Sequence, residues 1–402
     1  MRVVFNQWAA SGRRTGVGHH TAELMRQLPR CAGGDQIWFF PPDWVVRYRS
    51  LWARLSNGQP APPAGTGRGQ PVSPLRQART WARGLLRRCA RAVNAWQFQR
   101  FCTRRGIDLY HEPNHIAYPC DLPTICTVHD LSALLHPEWH PADRVAHYER
   151  HFEETVRRCC HLITVSDFTR DEVIDFLGVP PERVTRVYNG MRANLMPLPT
   201  AQVQATLRRL GLPERYLLHV GTIEPRKNLL LLLRAYCELP ASIRERWPLL
   251  LVGGWGWNVG PVQEYWQAEA RHRGVMHVGY VPDEDLAAIY NGARALCCAS
   301  FYEGFGLPPV EMLACGGAVI CSTAAALVET AGPCAHLVDP QDADGWREAM
   351  RRVVEDEDWW HGLRRGAVAA ARAFTWERAA TETWAVYRRA LGTAPEAEPL
   401  AA

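Results

Sequence analysis

Two carboxylates, Glu303 and Glu311, bracket a glycine turn and a Pro-Pro pair in SFYEGFGLPPVEMLACGGAVI, residues 300–320. Gly304 and Gly306 permit a tight turn, and Pro308-Pro309 suits the start of a helix, so Glu303 is expected ahead of the turn and Glu311 inside the first helical turn. A helix N-terminus offers free amides and a partial positive charge, which suits a phosphate, and an acid beside it can accept hydrogen bonds from sugar hydroxyls. A lone glutamate there often does no more than favour the helix start. Two acids around this turn ask for more. A second charged set, Arg226 and Lys227, sits in GTIEPRKNL, where a predicted strand runs out into a loop. Of the 46 basic residues in the chain, all but Lys227 are arginine, so this position is the one that kept lysine's compact point charge.

Elements able to hold these groups are legible as alternating apolar strands and helix-length segments. RVVF followed by SGRRTGVGHHTAEL reads as strand, glycine loop and helix, and DLYHEPN, PTICTVHDLS and HLITVSDFTRDEV read as short strands ending in polar residues. Ser166 is placed to cap the helix after the third. YLLHVGTIEPRKNL, PLLLVGG, VMHVGYV, ARALCCAS and GAVICS repeat the pattern. The alternation predicts an α/β protein of two doubly wound, Rossmann-like domains, with active groups at the strand ends. Residues 1–198 are assigned to the first domain, with 59–74 as an insertion and 75–101 as a basic amphipathic helix. Residues 199–374 form the second, and 375–392 a C-terminal helix.

Composition narrows the function classes. The 402 residues are 47% hydrophobic, and no run approaches the length needed to cross a bilayer. The N-terminus reads as strand and loop, not signal peptide, so a cytoplasmic location is expected. Thirteen cysteines show no Cys-x-x-Cys spacing, and the triplets at 283–285, 342–344 and 356–358 read as helix-start acids, so no metal site is expected. Between Asp43 and Asp108 there are thirteen arginines and no acid, within a chain of net charge +5. In this segment Arg76, Arg79, Arg83, Arg87 and Arg91 run beside an apolar stripe from Leu75 to Trp96 at helical spacing. Such a helix either docks on an anionic membrane surface or packs on its own domain. No nucleic-acid motif accompanies it, and the remainder of the chain is acidic on balance.

The pattern Glu303-Gly-Phe305-Gly306-Leu307 to Glu311, with TGVG, TVHDLS, TVSDFTRDEV, VYNG and GTIEPRKNL in order, resembles the retaining family-4 glycosyltransferases of GT-B fold along nearly the whole chain. The resemblance implies two domains facing across a cleft, with the C-terminal helix crossing back to the first. It also implies that Glu311 holds the ribose of a nucleotide-sugar and Glu303 the donor hexose, with backbone amides after Gly304 nearby. Arg226 and Lys227 would stabilise the charge developing on a departing diphosphate. His129 would contact the transferred sugar through its carbonyl and ring, or, with Asp130, act as a general base. Gly16 and Gly18 would approach the phosphates, Gly221, Gly253 and Gly254 would line the donor site, and Tyr280 and Val281 would lie near the base. Many relatives carry arginine after the strand glycine, where this chain has Thr222, which leaves the phosphate clamp to Arg226 and Lys227.

The resulting expectation is a metal-independent, retaining hexosyltransferase without a cofactor, using GDP-mannose as donor and a lipid-linked oligosaccharide as acceptor, as in bacterial exopolysaccharide or O-antigen assembly. It would be peripheral at the inner face of the plasma membrane. A UDP-sugar donor is the nearest alternative, and a non-catalytic sugar-binding protein the next. A pyridoxal-phosphate phosphorylase would need a Schiff-base lysine, and the only lysine is placed at the diphosphate.

Overall fold

A computed structural model describes residues 1–11, 16–45 and 93–392. Compactness divides the chain into a unit of residues 1–127, 155–161 and 384–402 and a unit of residues 128–154 and 162–383. The strands form two six-stranded sheets. The first comprises β1 (Arg2–Asn6), β2 (Gln36–Phe40), β3 (Leu109–Glu112), β4 (Thr124–Val128), β5 (His161–Thr164) and β6 (Val184–Arg186), in the order β2-β1-β3-β4-β5-β6. The second comprises β7 (Leu217–Val220), β8 (Leu249–Val252), β9 (Val275–Gly279), β10 (Ala295–Cys298), β11 (Ala318–Ser322) and β12 (Ala335–Val338), in the order β12-β11-β10-β7-β8-β9. Pairing within the second sheet is parallel throughout. This is the doubly wound α/β architecture that the alternation of strands and helices implied.

The short, largely apolar strands follow from parallel pairing, which leaves helices to cover both faces. In the second sheet successive residues enter different cores. Leu218, Leu250, Leu296 and Val319 pack in one, and Leu217, Leu249, Cys297 and Ile320 in the other. Because side chains alternate along a strand, this two-sided burial needs unbroken apolar runs such as LLLV. Helix starts follow local chemistry. Ser166 accepts from the Thr169 amide, Asp342 from Gly345 and Asp356 from Trp359, as the sequence suggested for caps.

In the first unit a helix over residues 93–105 packs Phe98 and Cys102 with Val4, Phe40 and Tyr110. Trp96, at the end of the sequence-derived apolar stripe, is 60% exposed with Arg100 over its ring. Phe98 lies about 200° around the helix from it, so within residues 93–105 the buried face is opposite Trp96. The remaining stripe residues, and Arg76, Arg79, Arg83, Arg87 and Arg91, lie outside the described residues. No disulfide is present among the described residues, and none of their helices is long and apolar enough to cross a membrane.

Candidate active site

In the second sheet the winding reverses at β7 and β10, which are hydrogen-bonded neighbours although they are not consecutive. Ligands of open α/β sheets bind outside the carboxyl ends of strands at such a reversal, because the connections there diverge to opposite faces and leave a crevice. Both charged stretches of the sequence emerge at this place. β7 runs through Gly221 and Thr222 into the 3-10 turn Pro225–Lys227, and β10 runs into the segment from Ser300 to Gly306. A backbone bond from Phe301 N to the Arg226 carbonyl, 2.8 Å, joins the two loops.

The side chains complete a compact charge cluster. Arg226 Nη1 donates to Glu303 Oε2 at 2.7 Å and to the Tyr302 carbonyl at 3.1 Å, and its Nε pairs with Glu224 Oε1 at 2.6 Å. Lys227 Nζ donates to Glu303 Oε1, which also accepts from Ser300 Oγ at 2.7 Å. Glu303 is 5% exposed and Lys227 7% exposed. Burial would raise the Glu303 carboxyl, but Lys227 and Arg226 overcome it and hold it down at about 2. Arg226 is in turn held charged: Glu303, Glu224 and Asp130 outweigh its desolvation. Glu303 is therefore a permanent carboxylate at neutral pH, an acceptor only, flanked by cations able to face an anionic ligand. Beneath the cluster the buried His219 contacts the Cys297 carbonyl through Nδ1 at 3.1 Å, and desolvation lowers it to about 4, so it adds no charge.

Gly304 fits here because of backbone proximity. A Cβ on it would lie 1.8 Å from the His129 carbonyl oxygen, so only glycine lets the loop after β10 meet the loop after β4. The Gly304 carbonyl accepts from Ser166 Oγ at 2.6 Å and Thr169 Oγ1 at 3.2 Å, both at the start of the helix Asp167–Leu177. His129, 9% exposed, is thus brought beside the residue that follows Glu303.

Glu311 occupies a different setting from the one expected. Gly306, at φ 91°, ends the turn, and the helix begins at Leu307 and runs to Ala314, so Glu311 is its fifth residue and falls beyond the first turn. The Pro-Pro pair starts the helix earlier relative to Glu311 than the sequence reading assumed. Glu311 is 2% exposed, pairs with Arg192 Nη1 and accepts from Tyr290 Oη at 2.8 Å. Burial raises its carboxyl, opposed by Arg192 and then Tyr290. Arg192, Glu224, Tyr290 and Tyr302 were not singled out from the sequence. Glu224 lies within the quoted motif GTIEPRKNL and Arg192 two residues past VYNG, and their charge next to a loop was the available signal.

Family models match the same span. The model described as "Glycosyltransferase Family 4" matches residues 14–194, and that described as "Glycosyl transferases group 1" matches residues 207–374. An Escherichia coli protein named O-antigen chain mannosyltransferase B is 35% identical over 395 residues, 96% of this chain and all of that protein. The chain belongs to the family-4 glycosyltransferases. Solved structures place this glycosyltransferase in the GT-B fold. Sucrose-phosphate synthase from Thermosynechococcus elongatus matches with a TM-score of 0.70 at 19% identity, covering 98% of this chain and 100% of that one. Anabaena HepE in complex with UDP-glucose matches with 0.69 at 17%, covering 96% and 100%.

The other sequence-derived residues of the glycosyltransferase are distributed as follows. Gly221 and Gly253 donate between the ends of β7, β8 and β9: Gly221 N to the Val252 carbonyl and Gly253 N to the Gly279 carbonyl. The Gly254 carbonyl accepts from Ile223, next to Thr222. Phe305 and Leu307 pack with Val165, Val310 and Phe374, so they shape the turn from within. Tyr280 is 49% exposed, and Val281 is buried in the core. Gly16 and Gly18 open the helix Gly16–Cys31 of the first unit, and the residues just before it, 12–15, lie outside the described ones. Among the described residues no group of three or more His, Cys, Asp or Glu is arranged to hold a metal ion.

The first unit holds a buried acid that sequence reading passed over. Glu112, the last residue of β3, accepts from Asn6 Nδ2 and Tyr110 Oη, each at 2.6 Å, and from the Asn114 amide at 3.0 Å. With no cation among these partners, burial dominates and raises it to about 7. His111, beside it, bonds Tyr387 and Thr127.

Proposed function

We propose that this glycosyltransferase moves a mannosyl group from GDP-mannose to a glycan acceptor with retention of configuration and without a metal. The observation that carries the reading is the full-length likeness to the Escherichia coli O-antigen chain mannosyltransferase B. The geometry supports the chemistry. Arg226 and Lys227, with the helix Leu307–Ala314 that begins shortly after Glu303, supply positive charge for a departing nucleoside diphosphate, and stabilise it most as its charge develops. Glu303, held at about 2, is unsuited to take a proton at neutral pH, where a general base works best with a pKa near 7. It is suited to bind donor-sugar hydroxyls as a fixed acceptor. In this reading the departing phosphate oxygen takes the acceptor's proton on the face it leaves. The acceptor is lipid-linked, the enzyme works at the inner face of the membrane, and Arg76, Arg79, Arg83, Arg87 and Arg91 hold it to anionic lipid, so membrane association should weaken as salt rises.

The testing experiment is calorimetric binding of GDP, UDP, GDP-mannose and UDP-glucose, with hydrolysis of each donor followed in parallel and repeated in excess chelator. Preferential binding and slow hydrolysis of GDP-mannose, unchanged by chelator, is the expected result. Preference for UDP-glucose would overturn the mannosyl assignment, and loss of hydrolysis with chelator would overturn metal independence.

A further inference from the structure

Tyr302 precedes Glu303 and is 5% exposed, yet neither the charge cluster nor the glycine turn uses its hydroxyl. That hydroxyl accepts from the Leu131 amide at 3.0 Å and donates to Glu172 Oε2 at 2.5 Å. Leu131 belongs to the loop that follows β4 and carries His129 and Asp130. Glu172 lies on the helix Asp167–Leu177, whose start already holds the Gly304 carbonyl through Ser166 and Thr169. One helix therefore braces both loops: Gly304 directly, and Leu131 through Tyr302. The Tyr302 ring is fixed independently of its hydroxyl by Phe168 and His136, each with ring centroids 5.6 Å away.

We infer that Tyr302 and Glu172 are positioning residues, which set the His129–Leu131 loop against the Glu303 loop and so fix the His129 carbonyl at the donor site. The inference rests on the proposed transferase reading for what the carbonyl touches. The physical reason is geometric. The His129 carbonyl meets Gly304 at a distance that excludes even a methyl group, so a small drift of the 129–131 loop opens or blocks the slot. Misplacement by about 1 Å in such a site costs roughly a hundredfold in rate. The Leu131 amide, in a residue 2% exposed, loses its partner if the hydroxyl is removed. Burial raises the Glu172 carboxyl to about 7, with Tyr302 pulling it back and Asp130 adding to the rise. Protonated or ionised, it keeps an oxygen that accepts from Tyr302, and an amide oxygen would do the same.

Three variants test the inference: Tyr302→Phe, Glu172→Ala and Glu172→Gln, each checked for a single cooperative melt well above the assay temperature. Hydrogen exchange of the peptide covering 128–135 reads the loop without any donor, and GDP-mannose hydrolysis reads kcat and KM separately. Tyr302→Phe and Glu172→Ala should exchange faster at 128–135 and lose roughly tenfold or more in kcat, with donor KM within about twofold. Glu172→Gln should stay close to the parent in both. Unchanged exchange in Tyr302→Phe, unchanged kcat where the parent turns over, or Glu172→Gln behaving as Glu172→Ala would each overturn it. A parent that binds GDP-mannose no better than UDP-glucose defeats the mannosyl reading alone, because the exchange result still decides the positioning role.

Discussion

Glu112 and Glu303 occupy equivalent places in two sheets built alike. Glu112 ends β3, which pairs with β1 where the order of the first sheet turns back, and Glu303 follows β10, which pairs with β7 where the second does. Both are buried, at 3% and 5% exposure. Their neighbours separate them. Glu112 has an amide side chain, a phenol and a backbone amide, and rises from 4.5 to about 7, whereas Glu303 has Arg226 and Lys227 and falls from 4.5 to about 2. Glu311 has one cation and one phenol, and burial still raises it. Desolvation raises a buried acid, and it takes two adjacent cations, not one, to reverse that here. The Glu303 cluster therefore differs from the strand-end acid Glu112 by its cations, not by its position.

The largest effect should come from breaking the pair of cations. Lys227→Met leaves Glu303 buried with Arg226 alone, the condition of Glu311. Turnover should fall by about 10²- to 10³-fold and unfolding free energy by about 3–5 kcal/mol, measured by donor hydrolysis and urea titration. Parent-like values in both would show that one cation suffices and would erase the comparison. Next is Gly304→Ala, which keeps every charge and changes only the approach to His129. It should lower turnover by about a hundredfold, because the added methyl displaces the loop, and unaltered turnover would mean that the carbonyl contact is dispensable.

The third test uses pH. Glu112 is raised, so its contribution to stability is complete below the unfolded value near 4.5 and is lost as pH rises through about 7. Glu303 is depressed, so its contribution is present above 4.5 and is lost only as pH falls through about 2. Between pH 5 and 8 Glu303 should be silent, while Glu112 accounts for a loss of about 3 kcal/mol. Glu112→Gln should flatten the decline of unfolding free energy over that range, leaving the share of Glu172, and a decline parallel to the parent's would refute the assignment. The smallest effect is expected from Tyr290→Phe, which removes the neutral donor from Glu311 and leaves Arg192. A loss of about 1 kcal/mol in urea unfolding is expected for removal of a neutral donor, and a loss as large as that of Lys227→Met would show that the phenol matters to Glu311 as much as a cation does to Glu303.

Much of this was legible in the chain. The strands at LLLV and ALCC are unbroken apolar runs, and LLHV and AVICS depart from one only at His219 and Ser322; buried parallel strands need such runs. Edge strands were harder: β2 and β6 are QIWFF and VTR, where exposed and polar residues dilute the pattern, and neither stood out. Lys227, Arg226 and Glu303 were recognisable from motif and charge, since their loops follow strands. Their mutual pairing was not, because Arg226 and Glu303 are 77 residues apart and meet only when β7 and β10 become neighbours. Glu172 and Tyr302, 130 residues apart, left no sequence trace of their bond.

By itself the sequence determined which segments must be buried strands, where helices are capped, and that a glycine turn between two acids, together with the chain's one lysine, belongs to the family-4 glycosyltransferase pattern. Those properties are local, set by periodicity, by backbone allowances at Gly304 and Gly306, and by residue type. Tertiary structure alone decided the ionisation of each acid, the register that starts the helix at Leu307, and the bracing of the His129 loop by Tyr302. These depend on distances between residues remote in the chain, and on a desolvation that exists only once the sheets have closed their cores.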